Sequence, residues 1–331
     1  MLGVREMERL YSARLNIFYP EPDAMVPDHD DLRLPGDRIV HMPDGRQLAW
    51  REYGALSGRP LYFCHGIPGC RLEGRYLDTE ARRAGWRIIA VDRSGIGLSG
   101  RQPGKTLEDD AADLAWLATH LGLEQFAVMG WSSGAPVALA CAWAFPDRLT
   151  ACFAVSGYTD FSVYPDGRDL LLETGWPLPK LAHWSKPLFY AVLALGVWLA
   201  RVNPGWYFRS VLDACGEADQ RVLSAPDHQL AFLHDQIEAL RSPLAGIADN
   251  LRTQHGFWGF PLAGIRFPVD LVQGLEDRLV PPVMADHLHW MIPRSRLHRL
   301  PHYGHLLPLD EAFQRTVFDT LNGRVARSMR P

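Results

Sequence analysis

The stretch Phe126–Ala144, FAVMGWSSGAPVALACAWA, decides the architecture. It opens with a short apolar run that has no helical spacing, the pattern of a strand buried on both faces. It closes with a run of good helix formers. Between them stand Gly130, Trp131, Ser132, Ser133 and Gly134. A G-x-S-x-G pentapeptide that joins a strand to a helix is a nucleophile elbow. The turn is so tight that the serine takes a strained backbone, and a Cβ two positions to either side would crowd the adjoining elements. Ser132 then projects at the N-terminus of the next helix, where the dipole and free N–H groups favour developing negative charge.

Outward from this stretch the punctuation is regular. PLYFCHG (60–66), RIIAVDR (87–93), ACFAVSG (151–157) and PVDLVQG (268–274) are further short apolar runs, each ending in glycine or polar residues. Helical patterns lie between them over 71–84, 107–120 and 133–144. RIVHM (38–42) and RQLAWREYG (46–54) flank the Asp44-Gly45 pair, a hairpin signal. Strands and helices in this alternation predict an α/β fold with a doubly wound, mostly parallel sheet. The alternation breaks at about Tyr158 and resumes near Pro268. Of the chain's 35 aromatic residues, 15 fall between Tyr158 and Phe260, so a helical cap inserted after the sixth strand is expected there. Its aromatics, Trp176, Trp184, Phe189, Tyr190, Trp198, Trp206, Tyr207 and Phe208, fit either the cap's own core or an apolar pocket between cap and sheet. The run Leu188–Ala200 is expected to be a buried cap helix. At the N-terminus, residues 1–18 carry a helical pattern and lead into a proline-rich acidic arm, a packing or dimer element.

With 331 residues the chain has room for one large α/β domain or two smaller ones. Lys+Arg 34 against Asp+Glu 38 gives a net charge of -4, too balanced for a dedicated nucleic-acid binder. Five scattered cysteines argue against a disulfide framework and for a reducing, cytoplasmic setting. MLGVREMERLYSARL has no apolar core of a signal peptide, and Leu188–Ala200 is short of the about 20 residues that span a bilayer. No stable membrane insertion is expected.

A serine hydroxyl needs a base to act as nucleophile, and the base needs an orienting acid. Asp277 stands in a loop just after the strand PVDLVQG, and His305 stands in a loop after the next strand. His302, Asp160 and Glu276 are rivals for these two roles. His302 with His305, or His287 with His289, has no cysteine or acid at ligand spacing, so neither a metal nor an organic cofactor is called for.

The chain resembles the α/β-hydrolase superfamily from about Arg38 to Leu321. It is most similar to the capped, serine-nucleophile branch that holds esterase-, proline iminopeptidase- and epoxide-hydrolase-like proteins. Four motifs match in order. His65-Gly66-Ile67-Pro68-Gly69 resembles the oxyanion loop after the third strand. Asp92-Arg93-Ser94-Gly95-Ile96-Gly97-Leu98-Ser99 resembles the D-R-x-G-x-G-x-S loop after the fourth. The elbow at Ser132 follows, then Gly274-x-x-Asp277-x-x-Val280-Pro281 and Gly304-His305. The order Ser…Asp…His is that of the superfamily. The resemblance implies a catalytic Ser132, Asp277 and His305, favours Asp277 and His305 over their rivals, and assigns the oxyanion hole to the backbone N–H groups of Ile67 and Ser133. His65 would then be structural.

The expected organisation is an N-terminal helix and arm over 1–37, a hydrolase core in two parts (38–157 and 261–331) and a helical cap over 158–260. The expected function is a serine esterase acting on a bulky apolar or aromatic small molecule through an acyl-serine. A serine at the elbow argues against dehalogenase and epoxide-hydrolase chemistry, which uses aspartate in this branch. The elbow also differs from the bulkier G-G-S-W-G of proline iminopeptidases. The alternatives are a non-hydrolytic acyltransferase, lyase or cyclase on the same triad, and a ligand-binding inactive relative.

Overall fold

In the computed structural model, which describes residues 34–328, eight strands build one sheet. They are β1 (Asp37–His41), β2 (Gln47–Gly54), β3 (Arg59–Cys64), β4 (Trp86–Val91), β5 (Phe126–Trp131), β6 (Leu149–Val155), β7 (Val269–Gly274) and β8 (Ser295–Leu300). The spatial order is β1-β2-β4-β3-β5-β6-β7-β8. The β1–β2 hairpin turns at Asp44-Gly45, where Gly45 has φ 84° and the Asp44 carboxylate accepts the Arg46 N–H at 3.0 Å. β2 meets β4 antiparallel, and every pairing from β4 to β8 is parallel. The helix expected over 1–18, and the arm through residue 33, lie outside the described residues.

Strand periodicity sorts the core into two layers. Leu61, Phe63, Ile88, Ala127 and Met129 face the helices Asp78–Ala84 and Glu311–Ser328 through Ala81, Phe318 and Leu321. Tyr62, Cys64, Ile89, Val91 and Val128 face the helices Leu107–His120 and Ala135–Ala144 through Leu114, Leu117, Val137 and Ala138. Each large apolar side chain so buried contributes about 1.5–3 kcal/mol, which fixes the strand register. After β3 the chain turns to β4 on one side, and β5 then returns to the other side of β3. That is a topological switch point, where the loops leaving β3 and β5 run to opposite faces, the place at which open α/β sheets form their ligand crevice at the carboxyl ends of the strands.

The segment expected as one helix over 71–84 divides into a 3-10 helix, Arg71–Leu77, and the α-helix Asp78–Ala84. In the first part Arg71 and Glu73 turn inward and are fully buried. Arg71 joins Asp37, Asp92 and Glu238 in one buried ion network, at 2.6, 3.0 and 3.0 Å.

Between β6 and β7 come seven α-helices: Gly167–Glu173, Leu178–Trp184, Lys186–Val202, Pro204–Ala214, Glu217–Val222, Pro226–Leu240 and Leu244–His255. They share a core with the loops of the crevice, as Leu178, Phe189, Leu193 and Leu251 pack with Cys70, Leu72 and Ile96. The expectation of a buried helix at Leu188–Ala200 needs correction. Lys186–Val202 buries Phe189, Leu193, Val197 and Ala200 but exposes Leu188, Leu195, Trp198 and Val202, because protein covers only one of its faces. Trp184 (78% exposed) and Trp206 (44%) also point outward, so only part of the aromatic enrichment serves a core. No single described helix is long and apolar enough to cross a membrane; Lys186–Val202 and Pro204–Ala214 pass that test together but are bent by 117°.

Candidate active site

Ser132 stands where β5 ends, with φ at 54°. That left-handed backbone is costly for a residue with a Cβ and is sustained by tight surroundings. The two flanking glycines explain the tightness. A Cβ on Gly134 would strike the Cys64 carbonyl of β3, and one on Gly130 would strike the Gly134 carbonyl. Gly134→Ala is therefore expected to cost about 3 kcal/mol or more, read as a fall in the unfolding midpoint, because rigid backbone cannot yield.

His305 and Asp277 come together across the loops after β8 and β7. His305 Nδ1–H donates to Asp277 Oδ2 at 2.9 Å, which leaves Nε2 as the basic nitrogen. Three more donors hold the carboxylate: Leu279 N–H at 2.9 Å and Val280 N–H at 2.8 Å on Oδ1, and Gln273 Nε2 at 3.0 Å on Oδ2. Both side chains are buried. Burial opposes a charged imidazolium, but the Asp277 charge and hydrogen bond outweigh it, with Asp219 adding. The His305 value is raised above the usual 6.5.

The elbow and the histidine loop are tied directly. Trp131 Nε1–H donates to the His305 carbonyl at 2.9 Å, and the two rings lie 5.6 Å apart. The Tyr158 hydroxyl, just past β6, faces the Ser132 side chain; burial and the Asp277 charge keep it protonated. Among the described residues no hydrogen bond joins Ser132 to His305.

The loop after β3 brings Gly66, the residue before Ile67, beside the elbow, where a Cβ on it would lie 3.7 Å from the Ser132 Cβ. His65 is buried with both ring nitrogens engaged: Nδ1–H donates to the Gly66 carbonyl at 2.8 Å, and Nε2 accepts the Arg93 N–H at 3.1 Å. Burial pushes it well below the usual imidazole value and keeps it neutral. Arg93 clamps the loop, donating to the His65 carbonyl, to the Gly66 carbonyl at 2.9 Å and to Ser133 Oγ at 3.2 Å. The Ile67 N–H has no acceptor among the described residues, and Ser133 N–H, in the first turn of a helix, has no intrahelical one.

The rivals are engaged elsewhere. His302 is 85% exposed and pairs with Glu276 at 3.2 Å. Asp160 caps the chain by accepting Ser162 N–H at 2.7 Å and Trp258 N–H at 3.3 Å.

Several residues escaped the sequence reading. Asp219, on the helix Glu217–Val222, is buried under the histidine loop, where it accepts the Leu306 N–H at 2.8 Å. A Cβ on Gly304 would strike its carboxylate, which gives the Gly304-His305 pair a steric reason. Glu73 and Asp235 lie under the Ile67 loop. Trp131 alone had a local signal, its place inside the elbow.

The loops converging on this crevice define an α/β hydrolase. Residues 59–312 match the family described as alpha/beta hydrolase fold, and the chain belongs to that family. It is 24% identical over 314 residues to "Probable proline iminopeptidase" of Leptolyngbya boryana, covering 84% of this chain and 93% of that one. It is 26% identical over 266 residues to "Haloalkane dehalogenase 2" of Mycobacterium tuberculosis, covering 77% and 84%. The fold is similar to that of a thermophilic esterase from Thermogutta terrifontis, with a TM-score of 0.63, 22% identity and coverage of 88% and 98%. It is likewise similar to that of an enol-lactonase from Burkholderia xenovorans, with a TM-score of 0.62, 18% identity and coverage of 86% and 100%.

Proposed function

We propose that this hydrolase is a serine esterase that cleaves a carboxylic ester, or a related acyl bond, of a bulky apolar small molecule. The observation that carries the proposal is the buried Asp277–His305 pair beside a serine held at positive φ. His305 Nε2 takes the Ser132 proton as Oγ attacks the carbonyl carbon. The oxyanion accepts from the Ile67 and Ser133 N–H groups, each such donor being worth about 2.7–4 kcal/mol. The intermediate collapses, His305 returns the proton to the leaving alkoxide, and an acyl-serine remains. Water, deprotonated by His305, then releases the acid and restores Ser132. Asp277 holds the Nδ1–H tautomer and stabilises the imidazolium throughout.

The insertion acts as a cap that meets the crevice in part through apolar side chains. Ile67 and Trp176 sit at the margin of the cluster that joins Cys70, Leu72 and Ile96 to Leu178 and Phe189. Such a lining favours an uncharged acyl or alcohol group. The thermophilic esterase and the enol-lactonase are in keeping with ester chemistry, and a serine in place of the aspartate used by dehalogenases points the same way.

Purified protein is expected to turn over short nitrophenyl esters and to leave proline naphthylamide untouched; the reverse outcome would make it a peptidase. The rate has a defined acid limb. The base acts only when neutral, and a raised His305 value means that it keeps its proton to a higher pH than free imidazole does. kcat/KM should therefore fall on acidification through a pH above 6.5, by about tenfold per unit below it. An acid limb at or below the free-imidazole value would contradict the Asp277–His305 coupling.

A further inference from the structure

The loop that carries Ile67 is held from below by two acids on different elements. Glu73, in Arg71–Leu77, accepts the Gly66 N–H at 2.8 Å through Oε2. Asp235, on the insertion helix Pro226–Leu240, accepts the Cys70 N–H and the Cys70 thiol, each at 3.1 Å, through Oδ1. The same helix reaches the loop once more, as Gln236 Nε2 donates to the Pro68 carbonyl at 2.5 Å. Gly66, Pro68 and Cys70 thus each give a backbone group to one of these side chains, and Ile67 lies between the first two.

The Glu73 and Asp235 carboxyl groups converge beneath Gly69 and Cys70: a Cβ on Gly69 would strike Glu73 Oε1, next to the Cys70 N–H that Asp235 accepts, and both residues are wholly buried. Glu73 Oε1 meets no N–H or O–H donor among the described residues. Two carboxylates in contact cannot both stay ionised away from water, so a proton must lie between them. The surroundings do not remove that need. Arg93 is the cation that faces Glu73, and Arg75 the one that faces Asp235. The Cys70 thiol, the Tyr76 and Tyr207 hydroxyls and the Gln236 amide complete the shell. Burial, then the charge of Asp235, pushes Glu73 well above the usual carboxylate range, and burial raises Asp235 too.

We propose that Glu73 and Asp235 are positioning residues that share one proton, and that this proton fastens the oxyanion loop to the insertion. The role in catalysis rests on the reading of the Ile67 N–H as an oxyanion donor. When the pair loses its last proton to solvent base, two adjacent buried anions repel. Relief comes by swinging Glu73 away from Gly66 or by lifting the helix that carries Asp235 and Gln236. Either movement takes the Ile67 N–H off the oxyanion.

Single amide substitutions test this without emptying the site. In Glu73→Gln, the side-chain oxygen still accepts the Gly66 N–H and the new N–H donates to Asp235. In Asp235→Asn, the oxygen keeps the Cys70 N–H and the new N–H donates to Glu73, at the loss of the long 3.3 Å bond from the Gln236 amide. Each variant keeps the bridge but removes the proton that can be lost. On nitrophenyl esters the wild type should lose kcat/KM at alkaline pH, and that loss should be absent from both amide variants. Glu73→Ala should lower kcat by about 100-fold at every pH, a loss typical of a misplaced catalytic group, and Glu73→Gln should recover most of it.

A second readout does not involve catalysis. The folded pair holds a proton that the unfolded chain releases above the ordinary carboxyl range. The pair's contribution to stability is therefore fully present below that range and is lost as pH rises through the pair's raised value. The unfolding midpoint of the wild type should show this decline, and both amide variants should lack it. If both variants retain the alkaline activity loss and the stability decline, the shared proton does not exist. A decline that vanishes in both variants, with Glu73→Ala fully active, leaves the proton and overturns its catalytic role. Wild type that takes up no fluorophosphonate overturns the esterase reading instead, while the stability comparison still decides the pair.

Discussion

Ser132→Ala is expected to abolish both fluorophosphonate labelling and ester turnover, with kcat falling by about a millionfold, or about 8 kcal/mol of barrier. The substitution is a clean test because it removes one oxygen and leaves the backbone unchanged. Alanine meets the same penalty at φ 54° as serine does, so the fold should lose little stability. The neighbouring serine offers no substitute nucleophile: Ser133 is fully buried and its hydroxyl is taken by Arg93 at 3.2 Å. Intact-mass analysis should show one phosphonyl adduct on the wild type and none on the variant. An adduct that persists in Ser132→Ala would place the nucleophile elsewhere.

Asp277→Asn should cost about 10⁴-fold in kcat, or about 5 kcal/mol, with KM nearly unchanged. The reason lies in the donors around the carboxylate. His305, Gln273, Leu279 and Val280 all present N–H groups, two to each oxygen. An amide has one acceptor oxygen, so its NH₂ must face two donors whichever way it turns. If it faces Leu279 and Val280, two buried backbone N–H groups lose their acceptor and the loop after β7 shifts. If it faces His305 and Gln273, the imidazole turns to the tautomer that puts the proton on Nε2, where no base remains for Ser132. Both outcomes remove catalysis while leaving the apolar crevice, hence the split between kcat and KM. A variant within tenfold of wild type would exclude Asp277 as the orienting acid.

The parts of this molecule legible in its sequence are those whose determinants are close in the chain. The elbow is one: Gly130 and Gly134 are needed because backbone from β3 and the turn itself fill the space a Cβ would occupy, and that need shows as a five-residue pattern. The Asp44-Gly45 hairpin and the strand runs are others. Asp277 and His305 stood out because loops after strands are short and their positions follow from the strand count. Asp219 and Asp235 carried no such mark. Asp235 meets its loop partner across 165 residues and Asp219 across 87. An acid on a helix rich in polar residues looks like solvated surface until the fold buries it. The run Leu188–Ala200 misled for the opposite reason, since it is apolar all round and says nothing of which face the protein covers.

The two insertion acids set a limit on how such an enzyme changes its substrate range over evolutionary time. An insertion between two strands of one sheet looks like an interchangeable module that recombination could swap whole. Here it is not detachable: Asp219 accepts the N–H of Leu306 behind the base, and Asp235 that of Cys70 below the Ile67 loop. A transplanted segment without both carboxylates would leave those buried N–H groups without acceptors. New specificity must therefore arise residue by residue, around two anchors that stay in place.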